Sequence, residues 1–306
     1  MHGEGPLQEE APGNWPWPHE WVFLMFLVVA SSWLCWTAEF PNLTSFLFLG
    51  FLVGAMALVF TSRPTPLRWR IRLLGFAGIC GGVYLAFRWA VPLMHDADYL
   101  QATQNYLKAT DGAITLGTFF PGSANGPWWL SDMFTVFYFF FFYYLVMGPL
   151  HYYFHNLRQF RECIVGVLVA YGLGFFGYMF APANGPFVWM GERVGGPVWD
   201  AGNWFVTTNS NGFDAFPSLH FAATFFLLWF DLRHYKRRFW MLLTPTVGLW
   251  VATVYLRYHY VVDLLAGLVV AWIAIVVTAH FQRVRGGDVL VGADGWVPVT
   301  RTYHDE

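Results

Sequence analysis

An all-α, polytopic membrane bundle of about eight transmembrane helices is the fold class this sequence predicts, and three observations predict it. Hydrophobic residues make up 57% of the 306 residues and charged ones only 12%, about half of the ~25% usual in soluble domains. The chain carries 30 Gly, 32 Phe and 17 Trp, and glycine and interfacial aromatics are enriched in membrane spans. Apolar stretches of the roughly 17–25 residues needed to cross the hydrocarbon core recur along the chain. A soluble core could not bury that much apolar surface and still leave a polar exterior.

In order, the expected spans are 20–38, 43–61, 73–94, 132–154, 162–182, 215–232, 239–256 and 260–281. Residues 1–19 contain no Lys or Arg; they lack the positive region of a signal peptide and read as a cytoplasmic tail. The first two spans, within 20–61, form a hairpin around Pro41 and stand apart from a six-helix unit over 62–281, followed by a second tail over 282–306. Two loops share an echo, Ala124-Asn125-Gly126-Pro127-Trp128 and Ala183-Asn184-Gly185-Pro186-Phe187, each a turn signal followed by an aromatic residue.

Basic residues orient the bundle. Thirteen fall on the side that holds both termini, including Arg63, Arg68, Arg70, Arg72, Arg233, Lys236, Arg237 and Arg238. Only Lys108, Arg193 and Arg257 fall on the other, with Arg88 inside the third span. Both termini are therefore expected in the cytoplasm of what reads as a bacterial inner-membrane protein, with segments 95–131, 183–214 and 257–259 outside. Those first two segments are too long for simple connectors and are expected to fold over something.

Composition also excludes. A net charge of −2 offers no basic face for nucleic acid. Cys35, Cys80 and Cys163 lie in or at apolar segments, which argues against a disulfide framework or a zinc site. No cluster suggests a metal, and no cofactor is expected. The run Phe137 to Tyr144 reads as lipid-facing and packing surface, and Arg233 to Arg238 as a topology determinant.

Two motifs carry chemistry, each at the outer end of a span. Phe216-Pro217-Ser218-Leu219-His220 opens the sixth span; with Pro217 in the first turn, Ser218 and His220 stand beside unpaired backbone N–H groups, a ready phosphate site. Arg257-Tyr258-His259-Tyr260-Val261-Val262-Asp263 opens the eighth. There His259 and Asp263, four apart, share a helix face, so the carboxylate can hold the imidazole tautomer and stabilise its cation. An ionisable residue inside a span is a functional candidate by default. Spacing alone leaves a catalytic pair and ordinary interfacial histidines both open, and the other eight histidines take the second reading.

Pro217-Ser218-Leu219-His220 followed 39 residues later by His259-Tyr260-Val261-Val262-Asp263 resembles the type 2 phosphatidic acid phosphatase (PAP2) superfamily. Leu219 before the first motif histidine, and the His-Tyr-x-x-Asp form, are similar to the inositol phosphorylceramide synthase and sphingomyelin synthase branch. The resemblance spans about residues 73–281 and makes 62–281 a six-helix catalytic core. It implies His259 as nucleophile forming a phosphohistidine, Asp263 orienting it, and His220 protonating the leaving alkoxide and then activating the acceptor. Ser218 and backbone N–H groups would hold the phosphoryl oxygens. Thr253 stands where relatives carry an arginine, and the only Arg-Pro, Arg63-Pro64, is on the wrong side. The equatorial oxygens still need charge compensation, for which Arg257, Arg193, Arg88 and Lys108 are the candidates, with Asp96 or Asp132 as a structural partner for Arg88. The expected partners are a phospholipid donor, a lipid or alcohol acceptor and the surrounding membrane lipids. A lipid phosphatase, with water as acceptor, and a proton-coupled transporter are the competing functions.

Overall fold

The computed structural model describes residues 16–38, 41–60, 66–114, 127–191 and 194–285. Among them are eleven helices: α1 (Pro18–Thr37), α2 (Leu43–Phe60), α3 (Pro66–Met94), α4 (Ala97–Ile114), α5 (Trp128–His155), α6 (Leu157–Phe180), α7 (Phe187–Met190), α8 (Pro197–Asn209), α9 (Leu219–His234), α10 (Lys236–Tyr255) and α11 (Val261–Arg285). The described residues hold no strand, only an isolated bridge between Ala183 and Asp214.

Six of the eight expected spans are helices long and apolar enough to cross a membrane: α1, α2, α3 from Arg70, α5, α6 and α11 to Phe281. The sixth and seventh do not reach that measure. Helix α9 has 16 residues, about 24 Å at 1.5 Å per residue against a hydrocarbon core of about 30 Å. Helix α10 opens on Lys236-Arg237-Arg238 and keeps Pro245 inside. Both are nonetheless integral to the bundle, α9 packing on α6, α10 and α11, and α10 on α5.

Local chemistry sets the helix ends. Pro18 occupies the first turn of α1, where its missing N–H costs nothing, and Glu20 accepts the Trp17 N–H at 2.7 Å. Asn156 caps α6 by accepting from the Gln159 N–H at 3.1 Å. Central α6 buries small and β-branched residues from Cys163 to Gly174 and packs on α1, α3, α5, α9 and α11.

The two ends of the bundle differ. At one, the Arg72 fork grips Glu20, with Nε to Oε1 at 2.7 Å. Arg161 lies 5.6 Å from the Trp17 and Phe281 rings. Buried Asp231 accepts the Tyr144 hydroxyl at 2.7 Å and that of Tyr152, and sits 3.4 Å from Arg238 Nε. At the other end His95 Nε2 meets the Met179 carbonyl at 2.7 Å, and the described parts of the long segments hold α4, α7 and α8. Amphipathic α4 lies there, its Gln104 making reciprocal bonds with the Asn184 backbone at 3.0 Å and donating to the Tyr260 hydroxyl at 2.8 Å. Helix α8 starts where Asp132 accepts the Gly196 and Trp199 N–H groups at 2.8 and 2.9 Å, an acidic residue favoured at a helix N-terminus.

Candidate active site

The turn Arg257–Tyr260 between α10 and α11 is built by the backbone. Tyr258 and His259 both donate their N–H to the Thr253 carbonyl at 3.0 Å, and Arg257 bends the chain with φ of 66°. The 183–187 loop lies directly on it: a Cβ at Gly185 would fall 2.2 Å from the Tyr258 carbonyl oxygen, so only glycine fits. Helix α11 begins two residues after His259, not at it. Asp263 stands in its first turn and accepts the Tyr260 N–H at 2.8 Å, which closes the N-terminus.

The first motif is built differently from its sequence expectation. Pro217 lies outside α9, after a cis bond from Phe216, and Ser218 is the N-cap, its hydroxyl oxygen accepting the Phe221 N–H at 3.3 Å. A serine oxygen satisfies a free first-turn N–H better than proline can fill that turn. The Ser218 N–H donates to the Asp263 carbonyl at 3.0 Å, so the two motifs are joined backbone to backbone.

His220 and His259 are thereby brought together, Nδ1 of the first to Nε2 of the second at 3.0 Å. His259 Nδ1 faces the Ala215 carbonyl at 2.9 Å and Asp263 Oδ2 at 3.4 Å. A carbonyl only accepts, so His259 carries its proton on Nδ1 and leaves Nε2 as a bare lone pair. With both rings neutral, His220 must then donate from Nδ1, and its own bare Nε2 accepts from the Tyr138 hydroxyl at 2.9 Å. His259 and Asp263 are buried at 2% and 0% exposure, and Asp263 Oδ1 has no hydrogen-bond partner.

Beside the pair opens a cavity of about 660 Å³ lined by α3, α5 and α6, by segments of 184–214, and by His220 and His259. Most of its wall is apolar or aromatic, including Leu85, Phe141, Phe142, Leu145 and Leu168. Along α6 the lining runs from Ile164 to Tyr178, about 21 Å at 1.5 Å per residue.

The cations expected to bind phosphate are elsewhere occupied. Arg257 donates from Nη1 to the Met190 and Gly191 carbonyls, both at 2.8 Å. Arg88 donates to the Ser210 carbonyl at 2.9 Å and not to Asp96 or Asp132, because both acids cap helices, Asp96 through the Tyr99 N–H at 2.8 Å and Asp132 at α8. Lys108 lies 3.8 Å from the Trp189 ring centroid. Arg193 lies outside the described residues. Among the described residues no Lys or Arg lines the cavity.

Sequence reasoning missed the polar contact of Tyr138, which sits in the aromatic run read as lipid-facing and packing surface. Tyr138, Phe141 and Tyr144 are buried, whereas Phe142 and Tyr143 are exposed. The burial spacing of three matched one helical face, but an all-aromatic run carries no polar side to reveal it.

Fold and site together define a helical membrane protein with a paired-histidine centre at one end of its bundle. A family model described as PAP2 superfamily matches residues 122–277, half of the chain, and the chain belongs to that superfamily. Membership suggests an enzyme of lipid phosphatase or phosphotransferase type. The match is to the superfamily; nothing in it singles out the inositol phosphorylceramide and sphingomyelin synthase branch. Neither the comparison with curated proteins nor that with solved structures finds a match.

Proposed function

We propose that the chain is a lipid phosphotransferase that moves a phospho-headgroup from a donor lipid to an acceptor alcohol through a phosphohistidine. The observation that carries the reading is His259 Nε2, 3.0 Å from His220 Nδ1 and with its other nitrogen committed to the Ala215 carbonyl, at the wall of a long apolar cavity. In the first half, His259 Nε2 forms a bond to phosphorus while the bond to the leaving oxygen breaks, and protonated His220 gives its Nδ1 proton to that oxygen. In the second half, neutral His220 takes the proton of the acceptor hydroxyl, whose oxygen displaces His259. Asp263, 3.4 Å from Nδ1, stabilises the phosphorylated ring cation.

The first-turn amides of α9 with Ser218 meet the phosphoryl oxygens, and the His220 cation supplies the first compensating charge. Arg257, Arg88 and Lys108 keep their full charge on neutral carbonyls and a ring and add theirs at a distance, and Arg193 is the remaining candidate for direct contact. Transfer over hydrolysis is part of the proposal: α4, α7 and α8 lie at this end of the bundle, where a bound lipid would complete the cover that keeps water out. We further propose eight crossings, with α9 and α10 as the two additional ones, cytoplasmic termini and an outward-facing site. The gathering of Arg72, Arg161 and Arg238 at the end opposite the histidines supports that orientation.

The test uses purified protein in vesicles containing headgroup-labelled phospholipids, quenched in alkali and digested. Label on the His259 peptide, passing to an added long-chain alcohol, is the expected result. Label that passes only to water makes the protein a phosphatase. Absence of label with every phospholipid class would end the reading.

A further inference from the structure

We infer that Tyr138 is a positioning residue that holds the far nitrogen of the His220 ring and so aims its working nitrogen, Nδ1, at the reacting atoms; this rests on the reading of His259 as nucleophile and His220 as acid. The polarity of the contacts leads to it. The Ala215 carbonyl fixes the proton of His259 on Nδ1, His259 Nε2 accepts from His220 Nδ1, and the chain ends at the Tyr138 hydroxyl, 2.9 Å from His220 Nε2. Remove that hydroxyl and Nε2 loses its polar partner, leaving His259 Nε2 as the one polar contact among the described residues that orients the His220 ring. In the other tautomer two bare nitrogens would face each other at 3.0 Å, without a hydrogen bond between them.

A tyrosine suits both states of the acid. Its hydroxyl donates to the bare Nε2 of the resting ring and accepts from Nε2–H both in the imidazolium and in the neutral ring left once Nδ1 has given its proton, so it keeps its contact through the cycle by turning one O–H bond. Its ring is held for the task, with its centroid 5.0 Å from both the His220 and the Tyr258 rings, and it is 4% exposed. Tyr258 is itself anchored by its hydroxyl to Asn203 Oδ1 at 2.9 Å. Phe141 closes the other approach to His220, centroid to centroid at 4.3 Å. The hydroxyl is therefore the polar contact of the ring nitrogen that faces away from His259.

The experiment compares two phosphate monoesters, hexadecyl phosphate in mixed micelles and 4-nitrophenyl phosphate, with wild type, Tyr138→Phe, His220→Ala and His259→Ala. An alkoxide needs a proton to leave and a nitrophenolate does not. Tyr138→Phe should lower kcat on the hexadecyl ester about 10–100-fold, the loss usual when the partner orienting a histidine is removed. It should leave KM unchanged and the nitrophenyl rate within about threefold of wild type. His220→Ala should share this leaving-group pattern, and His259→Ala should lose both activities. Equal losses on both esters, or a change in KM alone, would overturn the positioning role.

A readout independent of turnover is the ¹⁵N NMR spectrum of histidine-labelled protein in vesicles, at a pH where the rings are neutral. The Nε2 resonance of His220 should shift in Tyr138→Phe, which removes its hydrogen-bond partner; an unchanged spectrum would overturn the inference. If His259→Ala retains full activity on both esters, the nucleophile assignment fails instead, and the positioning role falls with it.

Discussion

Replacing Asp263 by Asn separates two jobs that one carboxylate performs. Its Oδ2 accepts the Tyr260 N–H at 2.8 Å and lies 3.4 Å from His259 Nδ1, while Oδ1 has no partner. An Asn can therefore place its oxygen where Oδ2 is and its NH₂ where nothing is lost, keeping the cap of α11. The tautomer of His259 also survives, because the Ala215 carbonyl at 2.9 Å is the shorter contact. What disappears is the negative charge opposite the phosphorylated, cationic ring. At 3.4 Å and an effective dielectric constant of about 20, Coulomb's law gives a ceiling of about 5 kcal/mol. The phosphoryl oxygens neutralise part of that ring charge, which brings the expected loss to about 3–4 kcal/mol, or roughly 100- to 1000-fold. This falls below the ~10⁴-fold known for the corresponding serine-protease swap, where the tautomer is lost as well. Rapid-quench measurement of phosphoenzyme formation checks it, alongside a thermal melt that should match wild type. A variant that keeps more than about a tenth of the wild-type rate would mean Asp263 only caps a helix.

His259→Ala should give no phosphoenzyme and no turnover, since no nucleophile remains; turnover near wild type would remove the mechanism. Gly185→Ala pushes a methyl group against the Tyr258 carbonyl, which a Cβ would approach to 2.2 Å. It should lower activity at least tenfold with a reduced melting temperature, whereas unaltered kinetics would show that the loop yields freely. Arg238→Met strands the buried Asp231 carboxylate and should cost about 3–5 kcal/mol of stability, read as a lower thermal midpoint in detergent with kcat per folded molecule unchanged. In intact cells, with native cysteines removed, an impermeant thiol reagent should label a cysteine placed at Asn209 and spare one at Lys236; the reverse pattern would invert the orientation.

What was legible in the sequence was what short-range spacing encodes. Spans of apolar residues foretold eight of the eleven described helices, with ends off by up to seven residues, and the family resemblance of the Ser218–His220 and His259–Asp263 motifs, rather than spacing alone, pointed to the two histidines that the structure brings together. Charge placement was not legible. Arg88, Arg257 and Lys108 find carbonyls and a ring on segments far along the chain, and no local pattern announces such partners. Helices α4 and α8 were hidden for a related reason. Their polar faces suppress the hydropathy that marks a span, and what stabilises them is docking through Gln104 and Asp132 rather than any apolar run. Tyr138 was invisible because its neighbours are equally aromatic.

The bond from the Ser218 N–H to the Asp263 carbonyl, 3.0 Å, has a mechanical consequence. The acid sits in the first turn of α9 and the nucleophile on the turn that leads into α11, yet main chain alone clasps the two helix N-termini. A tilt of α9 against α11 would have to break that clasp before it could spread the two imidazoles. Opening the centre to a bulky headgroup therefore falls to the parts attached by side chains: α4 through Gln104, α8 through Asp132.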